Sequence, residues 1–192
     1  MYDVLLITGA AGTGKTSTAI AWASSQHEIT AQLSHDTILG SIKSGLASPA
    51  EQATAEAERQ WRIALDICIA AARIYASARI RCVIDTFFLP AQLPLWQELA
   101  DLRVGLVVLH PPVEVAVARN AARLEHSGWG VPEWQVRANH GAMCAWETYT
   151  QVLILDNANR ALEHILAAID AWENTSQAAT LYERPSVDTD RA

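Results

Sequence analysis

Apolar residues fall into two alternating patterns along this chain: short uninterrupted runs, and longer stretches in which they recur every three to four positions. The runs predict β-strands at residues 4–8, 30–33, 80–84, 104–109 and 152–155, the second being the weakest and leading into His35-Asp36. The periodic stretches predict helices over 17–24, 50–76, 95–99, 113–125, 133–149 and 161–172, with Trp61, Ile63, Leu65, Ile69 and Ile74 marking the longest. Four of the strands lack polar alternation, as parallel strands covered on both faces do. Strand and helix alternate throughout, so the expected fold is α/β: a three-layer, doubly wound, five-stranded parallel sheet with right-handed crossovers. Such sheets take ligands at the carboxyl ends of their strands. Residues 1–173 read as one domain. From Asn174 onward the chain is polar and aperiodic and contains Pro185, so 174–192 is expected to be a disordered tail.

Between the first strand and the first helix stands GAAGTGKT, residues 9–16, a complete G-x-x-x-x-G-K-[ST] phosphate-binding loop in the strand–loop–helix setting that the motif requires. Gly9, Gly12 and Gly14, with Ala10, Ala11 and Thr13 between them, allow consecutive backbone N–H groups to curl around an anion. The helix beginning near Lys15 and continuing through Ser17 points its unpaired N–H groups and positive dipole end at the same place. Lys15 supplies a full charge for the β- and γ-phosphates, and the Thr16 hydroxyl suits Mg²⁺. A dinucleotide fingerprint competes, because Asp36 lies at a suitable distance for a ribose contact, but Ser17 stands where its third glycine belongs. The guanine-reading [NT]-K-x-D sequence is absent, which favours ATP over GTP.

Composition narrows the setting. With 192 residues, 51% of them hydrophobic and 18% charged, the chain can bury a substantial core. A formal net charge of −7 argues against nucleic acid or an anionic membrane as partner. No apolar run approaches the length of about 18 residues that a spanning helix needs, and the expected compartment is the cytoplasm. Cys68, Cys82 and Cys144 are widely spaced within apolar periodic segments and read as buried packing residues. The histidines show no metal-ligand spacing, and His110 reads as part of the turn after the fourth strand, so no zinc or iron site is expected.

Four further features fall at strand ends or beside a glycine-rich break. Asp85 ends the third strand, where a carboxylate completes the metal shell begun by Thr16; capping of the next segment is the competing role, although Phe87-Phe88-Leu89-Pro90 is a poor helix start. Asp36 is placed to accept a proton from a substrate hydroxyl, with His35 as the alternative base and a helix cap as the structural alternative. Arg119 and Arg123, four apart, share a helix face leading into Gly128-Trp129-Gly130. They suit a lid over residues 119–137 that brings positive charge onto the transferring phosphoryl group and excludes water; pairing with Glu114 or Glu125 is the surface alternative. Arg137 is a third, weaker candidate, and Trp129 and Trp134 flank the lid.

Taken together, GAAGTGKT, Asp36 after the second strand, CVIDTFF with Asp85 at the end of the third, and HPPVEVAVARNAAR running into the lid resemble the small phosphate-loop kinases built like shikimate, gluconate and chloramphenicol kinases. Zeta-toxin and related AAA-type ATP-binding groups lie nearby, and the likeness spans about residues 2–172. The resemblance implies strand order 2-3-1-4-5, a base role for Asp36, and binding of the nucleotide base and phosphates by Arg119 and Arg123. It also places Asp156-Asn157-Ala158-Asn159 where the family contacts adenine, which makes Asn157 a candidate contact. Many chloramphenicol-kinase relatives carry two adjacent acids where this chain has Asp85-Thr86, so metal and base duties are divided differently here. The expected activity is transfer of the γ-phosphate of ATP, with Mg²⁺, to a hydroxyl of a small molecule such as an antibiotic or sugar. The alternatives are a kinase of a nucleotide sugar, a nucleic-acid end or a nucleoside monophosphate, and an ATP-binding adaptor without chemistry.

Overall fold

The computed structural model describes residues 1–47, 54–127, 130–175 and 181. Gly128 and Trp129 of the expected lid, and most of the expected tail, lie outside the described residues. Five strands, β1 (Val4–Thr8), β2 (Thr30–Ser34), β3 (Arg81–Asp85), β4 (Val104–Leu109) and β5 (Leu153–Leu155), form one sheet in the order β2-β3-β1-β4-β5. Every pairing is parallel. The helices are α1 (Lys15–Ser25), α2 (His35–Leu39), α3 (Ala55–Ser77), α4 (Val113–Ser127), α5 (Glu133–Met143) and α6 (Leu162–Glu173), with 3-10 segments at Pro90–Leu99 and Cys144–Thr148.

The apolar runs become strands because each strand feeds two cores at once. Val4 and Leu6 face the core that also contains Leu65, Cys68, Ile69 and Ala72 of α3, together with Phe88, Trp96 and Trp146. Leu5 and Ile7 face the other core, closed by Ala19 and Trp22 of α1 and Ile165 and Ile169 of α6. All five β1 residues are buried, so no polar face exists to alternate. The parallel register sets Ile7 beside Asp85 on one flank and Val107 on the other, so the chain leaving β1 enters its glycine loop next to Asp85.

Helix α3 starts at Ala55, later than the pattern of apolar positions indicates. The Thr54 side chain caps it by accepting from the Ala57 N–H at 3.1 Å, and Glu56 and Glu58 lie in its first turn, where acidic charge complements the dipole. Instead of a helix at 95–99, a 3-10 segment runs from Pro90. Pro94 lacks an N–H and breaks an α-type ladder, leaving tighter turns, and the Gln92 side chain accepts from the Leu89 N–H at 2.9 Å. The expected helix 133–149 ends as an α-helix at Met143 and tightens into the 3-10 turn 144–148. That turn directs Trp146 inward and Cys144 outward, which corrects the reading of Cys144 as a buried packing residue; Cys68 and Cys82 are buried.

At the amino end of the sheet the Tyr2 ring lies across Gly105, tilted against Trp172 with centroids 5.2 Å apart. A Cβ on residue 105 would stand 2.5 Å from two ring carbons of Tyr2. Gly105→Ala is therefore expected to destabilise the protein by about 1–3 kcal/mol, the usual cost of overpacking, read from the midpoint of denaturant unfolding. Nearby, Leu181 is buried and donates its backbone N–H to the Val104 carbonyl at 2.9 Å.

Candidate active site

Gly12 and Gly14 of the loop between β1 and α1 adopt φ of 81° and 89°, in the left-handed region that glycine alone enters at little cost. Gly12 also permits close packing, since a Cβ there would lie 2.0 Å from the Ala116 carbonyl oxygen of α4. Within the loop, Lys15 donates from Nζ to the Ala10 carbonyl at 3.1 Å, and Thr13 donates from Oγ1 to the same carbonyl at 2.9 Å. Asn157, after β5, braces the loop from the side by donating to the Thr13 carbonyl at 2.8 Å, while its own Oδ1 is buried without a partner.

Thr16 and Asp85 converge as the β1–β3 register requires: the Thr16 hydroxyl donates to Asp85 Oδ2 at 2.7 Å. Two residues of β2 hold the same carboxylate. Gln32 donates from Nε2 to Oδ1 at 2.6 Å and Ser34 from Oγ to Oδ2 at 3.2 Å. Gln32 and Ser34 escape a reading based on apolar runs. Their signal is polar residues two apart on a strand, which share one face, beside a strand that ends in an acid.

Asp36 sits in the first turn of α2 instead of at the end of β2, and Ser34 occupies the cap position. Its side chain is 63% exposed, whereas His35 is 1% exposed. The His35 Nε2 lies 3.0 Å from the Trp61 carbonyl; a carbonyl only accepts, so Nε2 carries the proton and Nδ1 faces Asp36, 3.7 Å away. His35 is thus a fixed neighbour, and Asp36 the carboxylate open to solvent.

The two acids around Lys15 are tuned in opposite directions. Burial pushes the Asp85 carboxyl above its ordinary value, against the bonds from Thr16, Gln32 and Ser34 and the charge of Lys15. The contact with the His35 ring, then the charges of Lys15 and Arg123, hold Asp36 below the usual carboxylate range despite partial burial. Enclosure of the Lys15 amine lowers its pKa and Arg123 adds to that, while Asp36 and Asp85 oppose it. Such divergence between neighbouring acids separates a group that stays ionised from one that awaits a counter-charge.

On α4, Arg119 donates to the carbonyls of Asn157 and Ala158 at 3.1 and 3.2 Å, joining the helix to the loop after β5 instead of pairing with Glu114 or Glu125. Arg123 donates to Asn120 Oδ1 at 3.3 Å, and its charge reaches Lys15 and Asp36. Asn120 in turn fixes the segment before α5 through both polar groups of Val131. Arg137, by contrast, forms a two-pronged pair with Glu114 and a further bond to Glu133. Trp134 is exposed.

A cleft of about 1040 Å³ opens between α3, the segment after β3 and α5, lined among others by Trp61, Arg62, Phe87, Gln135 and Asn139. Trp61 joins it to His35, the neighbour of Asp36, because its indole packs on the His35 ring at 5.0 Å. Arg59 and Arg62 at this cleft are already paired, with Glu56 and Asp66. Among the described residues no helix is long and apolar enough to cross a membrane.

Comparison with known proteins agrees with this architecture. The model of the AAA domain family matches residues 4–146. A sugar kinase from Janibacter sp. HTCC2649 superimposes with a TM-score of 0.64 at 19% identity, over 92% of this chain and 98% of that one. The tunicamycin resistance protein of Deinococcus radiodurans gives 0.63 at 19% identity over the same shares, 92% and 98%. Shikimate kinase from Acinetobacter baumannii, in complex with shikimate, gives 0.59 at 20% identity over 86% of this chain and 89% of its own. At such identities the likeness establishes a P-loop kinase-like fold. No curated protein sequence matches the chain.

Proposed function

The chain belongs to the AAA domain family, and from that premise and the site geometry we propose that it is an ATP- and Mg²⁺-dependent kinase acting on a hydroxyl of a small molecule. The observation that carries this reading is the phosphate loop that contains Lys15 and whose Thr16 hydroxyl donates to the buried Asp85 carboxylate at 2.7 Å, with Asp36 near enough for its charge to act on Lys15. The donor set fits both groups. The loop glycines leave a backbone cradle, Lys15 is satisfied for now by a carbonyl that a phosphate oxygen replaces, and Thr16 and Asp85 offer hard oxygen ligands. Bound there, Mg²⁺ would supply charge neutralisation on the phosphates.

In the proposed step the acceptor oxygen forms a bond to the γ-phosphorus, the bond from that phosphorus to the oxygen shared with the β-phosphate breaks, and the hydroxyl proton passes to an Asp36 carboxylate oxygen. Residues Gly9 to Ser17 hold the phosphates, Lys15 and Arg123 bear on the transferring group, and Gln32 and Ser34 keep Asp85 aimed at Thr16. Arg119 and Asn157 position the nucleotide through the loop after β5. The cleft floored by Trp61 and Phe87 receives the acceptor. Its amide groups, Gln92, Gln135 and Asn139, and its already paired arginines support a neutral, partly apolar alcohol over an acceptor carrying phosphate.

The test is turnover of Mg·ATP against a panel of sugars, aminoglycosides, nucleosides and other alcohols, with the phosphorylated product identified by mass. Stimulation by one class and a phosphate ester on its hydroxyl support the assignment; ATP binding with no transfer to any alcohol would favour an adaptor. Gly12→Ala serves as the loop control. Because its Cβ must displace either α4 or the loop, calorimetry is expected to find at least about a tenfold loss of Mg·ATP affinity, in line with the cost of misplacing residues that support a binding site.

A further inference from the structure

Away from the phosphate loop, three side chains with metal-binding chemistry meet where β4 ends. They are His110, the first residue after the strand, and Cys144 and Glu147 on the 3-10 turn after α5; their ligand atoms all lie within 4.8 Å of one another. We propose that His110 Nε2, Cys144 Sγ and the Glu147 carboxylate form a site for a borderline divalent transition ion, zinc by preference, with water in the fourth position. A separation of 34 residues between His110 and Cys144 hides this cluster from any reading of ligand spacing along the sequence.

The distances fit a shared ion. Nε2 and Sγ are 3.7 Å apart. A tetrahedral zinc with bonds of about 2.0 Å to nitrogen and 2.3 Å to sulfur holds those two atoms roughly 3.5 Å from each other. The imidazole is already oriented: Nδ1 is buried, so Nε2 is the nitrogen presented to the thiol. The His140 ring stacks on it at 4.1 Å with 21° between planes, and is itself anchored by a 2.6 Å contact from Nε2 to the Pro111 carbonyl. Cys144 and Glu147 are exposed and His110 half-buried, so an ion can enter and water can complete the shell.

Ligand chemistry selects the ion. A nitrogen, a thiolate and one carboxylate disfavour Mg²⁺ and Ca²⁺, which take oxygen, and suit Zn²⁺ or Co²⁺. With a thiolate, a carboxylate and a neutral imidazole, a divalent ion leaves the cluster with no net charge. The site would clamp the end of β4 to the turn that follows α5.

The full-length protein, stripped with a chelator and kept free of nucleotide, is titrated with Co²⁺ and read by absorption. The expected result is one equivalent with an intense near-ultraviolet sulfur-to-cobalt band and visible bands of a tetrahedral ion, both displaced by Zn²⁺. The oxygen ligands of the phosphate loop cannot produce the sulfur band, so the outcome is independent of the kinase reading. Cys144→Ser should abolish that band, and His110→Ala and Glu147→Gln should each weaken Co²⁺ binding at least about tenfold, since loss of a ligand costs no less than loss of an outer-shell partner. Zn²⁺ should raise the thermal midpoint of the wild type but not of Cys144→Ser, as binding to the folded state alone requires. Because Cys144 is exposed, the serine variant is expected to fold, with near-ultraviolet circular dichroism as the check. Absence of the sulfur band in the wild type, or its survival in Cys144→Ser, overturns the proposal.

Discussion

Replacing Asp36 with asparagine is expected to lower turnover on the true acceptor by about 10²–10⁴-fold, the usual contribution of a positioned general base, with Mg·ATP affinity little changed. Asparagine keeps the size of the side chain and its place in the first turn of α2, but cannot take a proton. Asp36 is open to solvent, so its removal breaks no core packing. The pH profile provides a second reading of the same group. His35, Lys15 and Arg123 hold the Asp36 carboxyl below its ordinary value, so the base is ionised throughout the neutral range and the acid limb of kcat/KM should fall below the normal carboxylate region. The sign for stability agrees. A group whose folded pKa is depressed contributes stability that is complete above its unfolded pKa and is lost as pH falls through the folded one. Asp36→Asn should therefore flatten part of the acid dependence of unfolding. If His35 were the base, the asparagine variant would retain most of its activity.

The parts of this molecule that were legible in the sequence are those determined locally or by two-sided burial. Residues 4–8 and 104–109 read as strands because both faces are covered, and the strand order implied by family resemblance is the one the sheet adopts. The glycine loop was legible because its backbone angles demand specific residues at fixed spacing. What escaped depends on contacts between distant segments. The hold of Gln32 and Ser34 on Asp85 exists only through the β2–β3 register, which pairs Ser34 with Asp85. Arg137 reads as a lid residue from its position after the glycine break, yet Glu114, 23 residues earlier, engages its guanidinium. The apolar period over 133–149 continues past Met143 even though the backbone tightens there, because Trp146 still points into the core. Periodicity reports which side is buried and is blind to whether the turn is 3.6 or 3.0 residues.

Asp85→Asn is expected to separate stability from function. In the wild type the Asp85 carboxylate is 1% exposed, and burial raises its pKa, so its charge is held at a cost when no cation is present. Asparagine fills the same volume and can still accept from the Thr16 hydroxyl through its amide oxygen, while its amide nitrogen must sit near donors that formerly faced an oxygen. The relief of a buried charge and the loss of part of this network oppose each other, so the unfolding midpoint without nucleotide should change by no more than about 1 kcal/mol, the net worth of one ordinary hydrogen bond. Function should respond far more strongly. A neutral amide is a poor Mg²⁺ ligand, and several kcal/mol of charge stabilisation on the phosphates would be lost, equivalent to about 10²–10³-fold in turnover. The Mg²⁺ concentration for half-maximal activity should rise as well. Gln32→Ala offers a graded companion: it leaves the carboxylate in place but frees its Oδ1, so the Mg²⁺ requirement should rise by less, about 10-fold or below, with kcat at saturating Mg²⁺ largely restored. A structural carboxylate would show the reverse ordering, with a lowered midpoint in both variants and turnover at saturating Mg·ATP unaffected once the protein is folded.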